Sequence, residues 1–334
     1  MARPERIELG RAACLGVPEP AWTDPGWLAE AEAWIRSRVE VTGELEQFHI
    51  RWWSTVIRVP ITGENLYFKA VAEGFGFEPA LTAELGELQP DRVPVLVDLD
   101  VDRAWMLMRD GGRRLREALS SPADLRHWEA ALPRYAELQL AAAPVAGRLL
   151  ELGVPDVRLS VLPGQLRALL SRPVPGLAPE AHDRVVASLP EFEALCGELA
   201  SYAVPETIEH NDLHDGQVFL GDGRYVFFDW GDACVSHPFH SLTVTLRATA
   251  AKFDLPPDGR ELRRLLAAYL EPFGTPKEAA HLAYRTGTVA RALAWDRFVR
   301  GGFAVRSEPD DELATAYGLK LFVENGPIGS WREP

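Results

Sequence analysis

Residues 210–217 read His210-Asn211-Asp212-Leu213-His214-Asp215-Gly216-Gln217, and a second acidic turn, Phe228-Asp229-Trp230-Gly231-Asp232, follows after one short apolar run. Between them lie Val218-Phe219-Leu220, the turn Gly221-Asp222-Gly223-Arg224 and Tyr225-Val226-Phe227-Phe228, the pattern of two short strands joined by a Gly-rich turn. A hairpin of that kind keeps Asp212, Gln217 and Asp229 near one another. Their carboxylate and amide oxygens suit a hard cation such as Mg²⁺, which prefers oxygen ligands and keeps several waters. The chemistry to expect is phosphoryl transfer, with Asp212 accepting or orienting the proton of a substrate hydroxyl while Gln217 and Asp229 hold the metal. His210 is expected to organise the loop by hydrogen bonding, His214 to do the same or contact phosphate, and Asp232 to bridge or cap the next segment.

A second chemical residue stands far upstream. Lys69 interrupts the apolar run Leu66 to Val71, where an ammonium group is costly unless it is paired. Taken alone it could be an edge lysine reaching for solvent. If its strand faces a nucleotide cleft, Lys69 can bind phosphates while a carboxylate from the following helix orients it. Glu78, at the start of that helix, is the first choice and Glu84 the other. The loop Arg51-Trp52-Trp53-Ser54-Thr55 lacks the glycines of a phosphate loop. Any phosphate contact there must come from Ser54, Thr55 and their backbone, and Trp52 and Trp53 serve equally well as packing residues.

The elements that must carry these residues can be read from their periodicity. Trp27 to Val39 repeats at helical spacing. Phe48 to Trp53, Val56 to Val59 and Leu66 to Val71 are β-branched and aromatic, and the turn Thr62-Gly63-Glu64-Asn65 separates the last two, so three antiparallel strands are expected. A helix over 78–89 with Pro79 in its first turn follows, and the apolar runs Val93 to Leu99 and Trp105 to Met108 complete a small sheet. Past Asp110-Gly111-Gly112 the pattern is helical near 124–151, 180–201, 237–252, 259–271 and 277–300, with a loop at Pro173-Val174-Pro175-Gly176. The expected class is therefore α+β: a β-rich part over residues 1–110, including a poorly patterned lead-in over 1–20, and a helical part over 111–334 that carries the acidic loops. Arg291, Trp295, Asp296 and Arg297 could border the acceptor cleft, with helix surface as the default reading, and His237-Pro238-Phe239-His240 could offer metal ligands or equally start a Pro-initiated helix packed beneath the site.

Composition narrows the partners. With 334 residues the chain can bury a full core. A net charge of -14 argues against a nucleic-acid binder, whose phosphate partner selects basic surfaces. Cys14, Cys196 and Cys234 are odd in number and show no Cys-x-x-Cys spacing, so neither a disulfide framework nor a zinc ribbon is indicated. The start, Met1 to Arg6, leads into charged sequence without a signal-peptide apolar run, and no stretch is long and apolar enough for a bilayer. The expectation is a cytoplasmic protein without membrane or nucleic-acid partners, acting on a small hydroxylated molecule, its oligomeric state left open.

These residues together resemble the aminoglycoside phosphotransferase family, small-molecule relatives of the protein kinases. The family signature, His-Gly-Asp-x-x-x-x-Asn followed by Asp-x-Gly after a short hairpin, is matched by His210 to Gln217 and by Asp229-Trp230-Gly231. Tyr67-Phe68-Lys69-Ala70 followed by a Glu-bearing helix matches the nucleotide-anchoring strand, and Trp105 to Gly112 resembles the connector between lobes, whose backbone reads the purine. The resemblance spans roughly residues 45–300. It implies a bilobal protein-kinase-like fold, with Met108 and Asp110 at the purine. It also implies transfer of the γ-phosphate of ATP or GTP to an antibiotic, sugar, amino alcohol or nucleoside-like acceptor. One position departs from the pattern: Gln217 stands where the family has Asn, which moves the amide oxygen by about 1.5 Å. Two other readings stay open: a pseudokinase whose metal geometry Gln217 spoils, and a dinuclear metallohydrolase built on His210, Asp212, His214, Asp215 and Asp229.

Overall fold

The computed structural model describes residues 13–14, 20–300, 303–304 and 313–324. Apart from Ala13, Cys14 and Pro20, the lead-in expected over residues 1–20 lies outside the described residues.

A two-residue strand β1 (Ala13–Cys14) pairs antiparallel with β12 (Phe303–Ala304). Helix α1 (Pro25–Arg38) starts where the sequence calls for it: the Asp24 carboxylate accepts from the amides of Gly26 (2.8 Å) and Trp27 (3.0 Å), with Pro25 in the first turn. Then come β2 (Glu46–Ile50), β3 (Ser54–Ile61), β4 (Glu64–Val71), helix α2 (Glu78–Leu88), β5 (Leu96–Asp100) and β6 (Trp105–Arg109). These five strands form one antiparallel sheet in the order β2-β3-β4-β6-β5. Its α1 face is sealed by Trp34, Ile35, Ile57, Val59, Leu66, Phe68 and Trp105. Strand alternation sends Tyr67, Lys69 and Val71 the other way.

The first strand ends earlier than expected. Trp52 and Trp53 lie in the turn, and Ser54 and Thr55 open β3 instead of closing a loop.

After β7 (Arg113–Arg114) the chain is mostly helical: α3 (Leu115–Ala118), α4 (Arg126–Ala142), α5 (Ala146–Glu151), α6 (Leu162–Leu170), α7 (Pro179–Ala187) and α8 (Leu189–Ala200). The helices expected over 124–151 and 180–201 are each broken. Pro144 and Pro190 remove an amide donor and crowd the preceding turn, so a fresh segment begins at each. Helix α6 was not anticipated, although Leu162, Leu166, Leu169 and Leu170 are buried at helical spacing. The three-residue strands β8 (Thr207–Glu209) and β11 (Cys234–Ser236) pair with each other on either side of the hairpin β9 (Val218–Gly221) and β10 (Arg224–Phe227). Helices α9 (Leu242–Phe253), α10 (Arg260–Leu270), α11 (Lys277–Arg300) and α12 (Ala314–Glu324) close the body.

The larger core packs Trp128, Tyr135, Phe192, Phe227, Trp230 and Tyr269, and takes in Phe77 just before α2 and Leu81 and Leu85 within it. Helix α2 thus bridges the sheet and the helical body. The connector after β6 is seated closely. A side chain on Gly111 would run into the ring of Phe228, and Gly112, at φ +88°, faces the Leu220 carbonyl of β9 at a separation no Cβ could share. Among the described residues, no helix is long and apolar enough to cross a membrane.

Candidate active site

The hairpin is what gathers the acids. Its register pairs Val218 with Phe227, so Gln217 and Phe228 face each other across its open end, and the Phe228 amide donates to the Gln217 carbonyl at 2.8 Å. Asn211 and Asp229 both adopt left-handed backbone, at φ +63°. Such residues cost about 1–2 kcal/mol and persist where the surroundings over-determine them. Here the surroundings are visible. The Asn211 amide donates to the Glu209 carboxylate at 2.7 Å, and its side chain donates to the Asp232 carbonyl at 3.3 Å.

His210 is buried and neutral. Its Nδ1 accepts from the Asp212 amide at 3.3 Å and its Nε2–H donates to the Phe228 carbonyl at 2.7 Å, while burial holds its pKa below the ordinary range. It therefore ties the loop before Asp212 to the turn before Asp229. His214 accepts from the Gly216 amide on Nδ1 (2.9 Å), which leaves its Nε2–H 3.5 Å from Asp212 Oδ2. With three of these four ring nitrogens bonded to backbone, the histidines are spoken for as loop organisers. Among the described residues no three His, Cys, Asp or Glu side chains gather as a metal cluster, so the dinuclear metallohydrolase reading is set aside.

Lys69 reaches across from β4 to this hairpin. Its Nζ lies 2.6 Å from Glu78 Oε1 and 2.5 Å from Asp229 Oδ1. Burial opposes its charge, but the Asp229 and Glu78 carboxylates outweigh that and raise its pKa. Burial also works against ionisation of Asp229, yet Lys69 overrides it and holds that carboxyl well below the usual range. Glu78 is fully enclosed, and burial pushes its pKa up against the pull of Lys69. Of the two candidate partners the structure takes Glu78. Glu84 bonds Arg148 at 2.8 Å instead.

Gln217 stands between the acids, its amide nitrogen 3.0 Å from Asp229 Oδ2 and 3.4 Å from Asp212 Oδ2. The longer side chain has not carried the amide away from Asp229. Oxygen and nitrogen of an amide exchange by a simple flip, so Gln217 and the half-open Asp229 carboxylate offer the all-oxygen pair that Mg²⁺ takes from a protein beside phosphates and water.

A cavity of about 410 Å³ opens between the sheet and this hairpin, lined by Ser54, Lys69, Glu78, Met108, Gln217 and Asp229 among others. That volume suits a small-molecule site. Two expected contacts are corrected. Thr55 shares the α1 face of its strand, where its buried hydroxyl donates to the His49 carbonyl (2.8 Å) and accepts from Gln47 (2.9 Å); only Ser54 turns to the cavity. The Asp110 carboxylate is absent from the lining and caps its own turn, accepting from the Gly112 amide at 2.8 Å, with the Tyr67 hydroxyl 3.4 Å away. A wider groove of about 870 Å³ beside Arg134 and Arg224 holds surface charges already paired with Glu137 and Asp91.

Sequence reading missed four residues. His49 and Arg114 line the cavity, and burial pushes the His49 pKa down to about 4, so it stands there uncharged. Arg291, read by default as helix surface, places Nη2 2.6 Å from Asp212 Oδ1, with only 11% of its side chain exposed. Its spacing with Trp295 on one helical face was the available signal. The fourth, Glu209, lies directly under the loop, accepting from the Asn211 amide and the Ser241 hydroxyl (2.8 Å).

Burial pushes Glu209 up to about 7, against the lowering contacts of Ser241 and Asn211. A carboxyl whose folded pKa is raised binds more protons in the folded state, so its destabilising effect grows as pH climbs from the unfolded value of 4.5 to about 7. Glu209→Gln is therefore expected to raise Tm above that of the parent at about pH 8 and leave it unchanged at about pH 4. Thermal unfolding across that range checks it, and an equal effect at both ends would remove the carboxyl from the account.

The family model described as the phosphotransferase enzyme family (APH) matches residues 67–281. A comparison with the curated proteins found no match. Among solved structures, the ethanolamine kinase of Plasmodium vivax superposes with TM-score 0.61 at 14% identity, covering 93% of this chain and 90% of that one. The choline kinase LicA of Streptococcus pneumoniae gives 0.60 at 14%, covering 90% and 98%. The macrolide 2'-phosphotransferase MphH of Brachybacterium faecium gives 0.56 at 16%, covering 89% and 98%. At these identities the shared property is the kinase-like fold.

Proposed function

Because this chain belongs to the phosphotransferase enzyme family and is a phosphotransferase of kinase-like fold, we propose that it transfers the γ-phosphoryl group of ATP or GTP to a hydroxyl of a small antibiotic-like, sugar-like or amino-alcohol acceptor with the help of Mg²⁺. The observation that carries this reading is the charge bridge across the cavity: one buried lysine joined to Glu78 on one side and Asp229 on the other, with Asp212 next to Gln217 behind it. In this reading residues 1–110 form the nucleotide-side lobe and 111–334 the acceptor-side lobe.

The roles follow from position. Lys69, held charged by two carboxylates, neutralises phosphate oxygens, and Ser54 and the backbone around it approach the same phosphates. Met108 and the connector backbone meet the purine. Asp229 and Gln217 hold Mg²⁺, which when bound offsets charge building on the transferred group. Asp212 holds the acceptor hydroxyl and takes its proton as the new oxygen–phosphorus bond forms and the bond to the departing diphosphate breaks. Arg291 fixes the Asp212 carboxylate by its acceptor-side oxygen.

A phosphotransfer screen with both nucleotides against aminoglycosides, macrolides, nucleoside antibiotics, sugars and amino alcohols tests the reading. Failure to phosphorylate any of them would count against it. Shortening Gln217 supplies a second test. Because its amide already spans to Asp229, Gln217→Asn withdraws that amide by about 1.5 Å, and phosphotransfer is expected to fall about 100-fold. A rise in rate would instead favour a protein whose Gln217 has disabled turnover.

A further inference from the structure

On the side of Asp212 away from the cavity, one cation is enclosed by groups that ordinarily hold a ligand cation. Arg291 Nη2 binds Asp212 Oδ1 at 2.6 Å, its Nη1 lies 3.9 Å from Asp232 Oδ1, and its guanidinium carbon stands 4.1 Å from the centre of the Trp295 ring. Two carboxylates and an indole face are what an ammonium alcohol needs beside a proton-accepting aspartate. The face of Trp295 is covered and the near oxygen of Asp212 is taken. Beyond Asp232 the Arg297 guanidinium donates to its backbone carbonyl at 3.1 Å, so the two arginines balance the two acids. Arg291 Nη1 and Asp232 Oδ1 face each other as a buried ion pair, and among the described residues neither atom has a hydrogen-bond partner.

We infer that Arg291 is a specificity-determining residue that fills the cation seat beside Asp212 with the protein's own cation and so excludes ammonium alcohols as acceptors. The inference rests on the phosphotransferase reading and divides the acceptor classes that reading leaves open. Like charges brought together at the subsite are costly, and the site rejects the wrong class by repulsion as well as by occupancy.

The test reads binding separately from turnover. Choline is titrated by calorimetry into the full-length protein, Arg291→Ala and Arg291→Gln, and the same proteins are assayed with ATP and Mg²⁺ on choline and on a panel of sugars. The parent is expected to give no choline binding heat. Arg291→Ala should bind choline at least about 10-fold more tightly than the parent, as an exposed indole face and a freed carboxylate allow, and Asp232→Asn placed in that background should cancel the gain. Arg291→Gln, which keeps the side chain's length without its charge, maintains the test if the alanine variant fails to fold. Parent protein that binds or phosphorylates choline overturns the inference, as do folded variants that gain no affinity for it. Because the binding arm needs no turnover, a protein that phosphorylates nothing on the panel would defeat the phosphotransferase reading and leave the cation-seat result standing.

Discussion

Asp212→Asn is expected to lower the phosphotransfer rate by about 10³-fold, within the range of a lost general base, while nucleotide affinity is unchanged. The substitution keeps the shape of the side chain and one oxygen to accept from Arg291, but its amide nitrogen can neither accept from Gln217 nor take a proton. The nucleotide side is untouched, since Lys69 is bonded to Glu78 and Asp229 and makes no contact with Asp212. Steady-state kinetics beside nucleotide titration would separate the two effects. Retention of most of the rate would show that Asp212 does not handle the acceptor proton.

The largest effect on stability is expected at Lys69. Lys69→Met leaves the Glu78 carboxylate sealed inside the protein without its cation, and breaking such a buried pair costs about 3–5 kcal/mol. Asp229 suffers less, because about half of its side chain is open to the cleft and water can screen it; that exposure is 48%. The double variant Lys69→Met/Glu78→Gln should therefore recover much of the lost stability and none of the phosphotransfer. Urea unfolding of the parent, both single variants and the double variant measures the coupling. A Lys69→Met protein as stable as the parent would mean that Glu78 escapes its charge in some other way.

Much of the sheet was legible because β-branched and aromatic residues mark each strand, and Lys69 announces itself as the one cation in an apolar run. Glu78 could be preferred over Glu84 from its place in the first turn of α2 alone. The structure brings Lys69, Glu78, Gln217 and Asp229 to one cavity, as the spacing of the motifs suggested. Other features were decided by distant partners. Thr55 could not be assigned a face until the first strand's end was fixed, and a shift of that boundary reverses the side to which each residue points. Helix breaks at Pro144 and Pro190 were available locally and were overridden by continuous apolar periodicity. β8 and β11, with three residues each, are held by pairing with each other and, for β11, by a bridge to Asp156 that lies far away in the chain. Arg291 lies 79 positions from Asp212, and nothing in its own helix says that a carboxylate will lie beside it.

Adjacent glycines such as Gly111 and Gly112 are ordinarily taken for a hinge. Their backs press on the Phe228 ring and on the β9 backbone, too closely for either glycine to carry a side chain. They behave as a weld. The connector after β6 and the turn that presents Asp229 are therefore packed as one block, and in the proposed reading the span from base to metal is a gauge set by that packing.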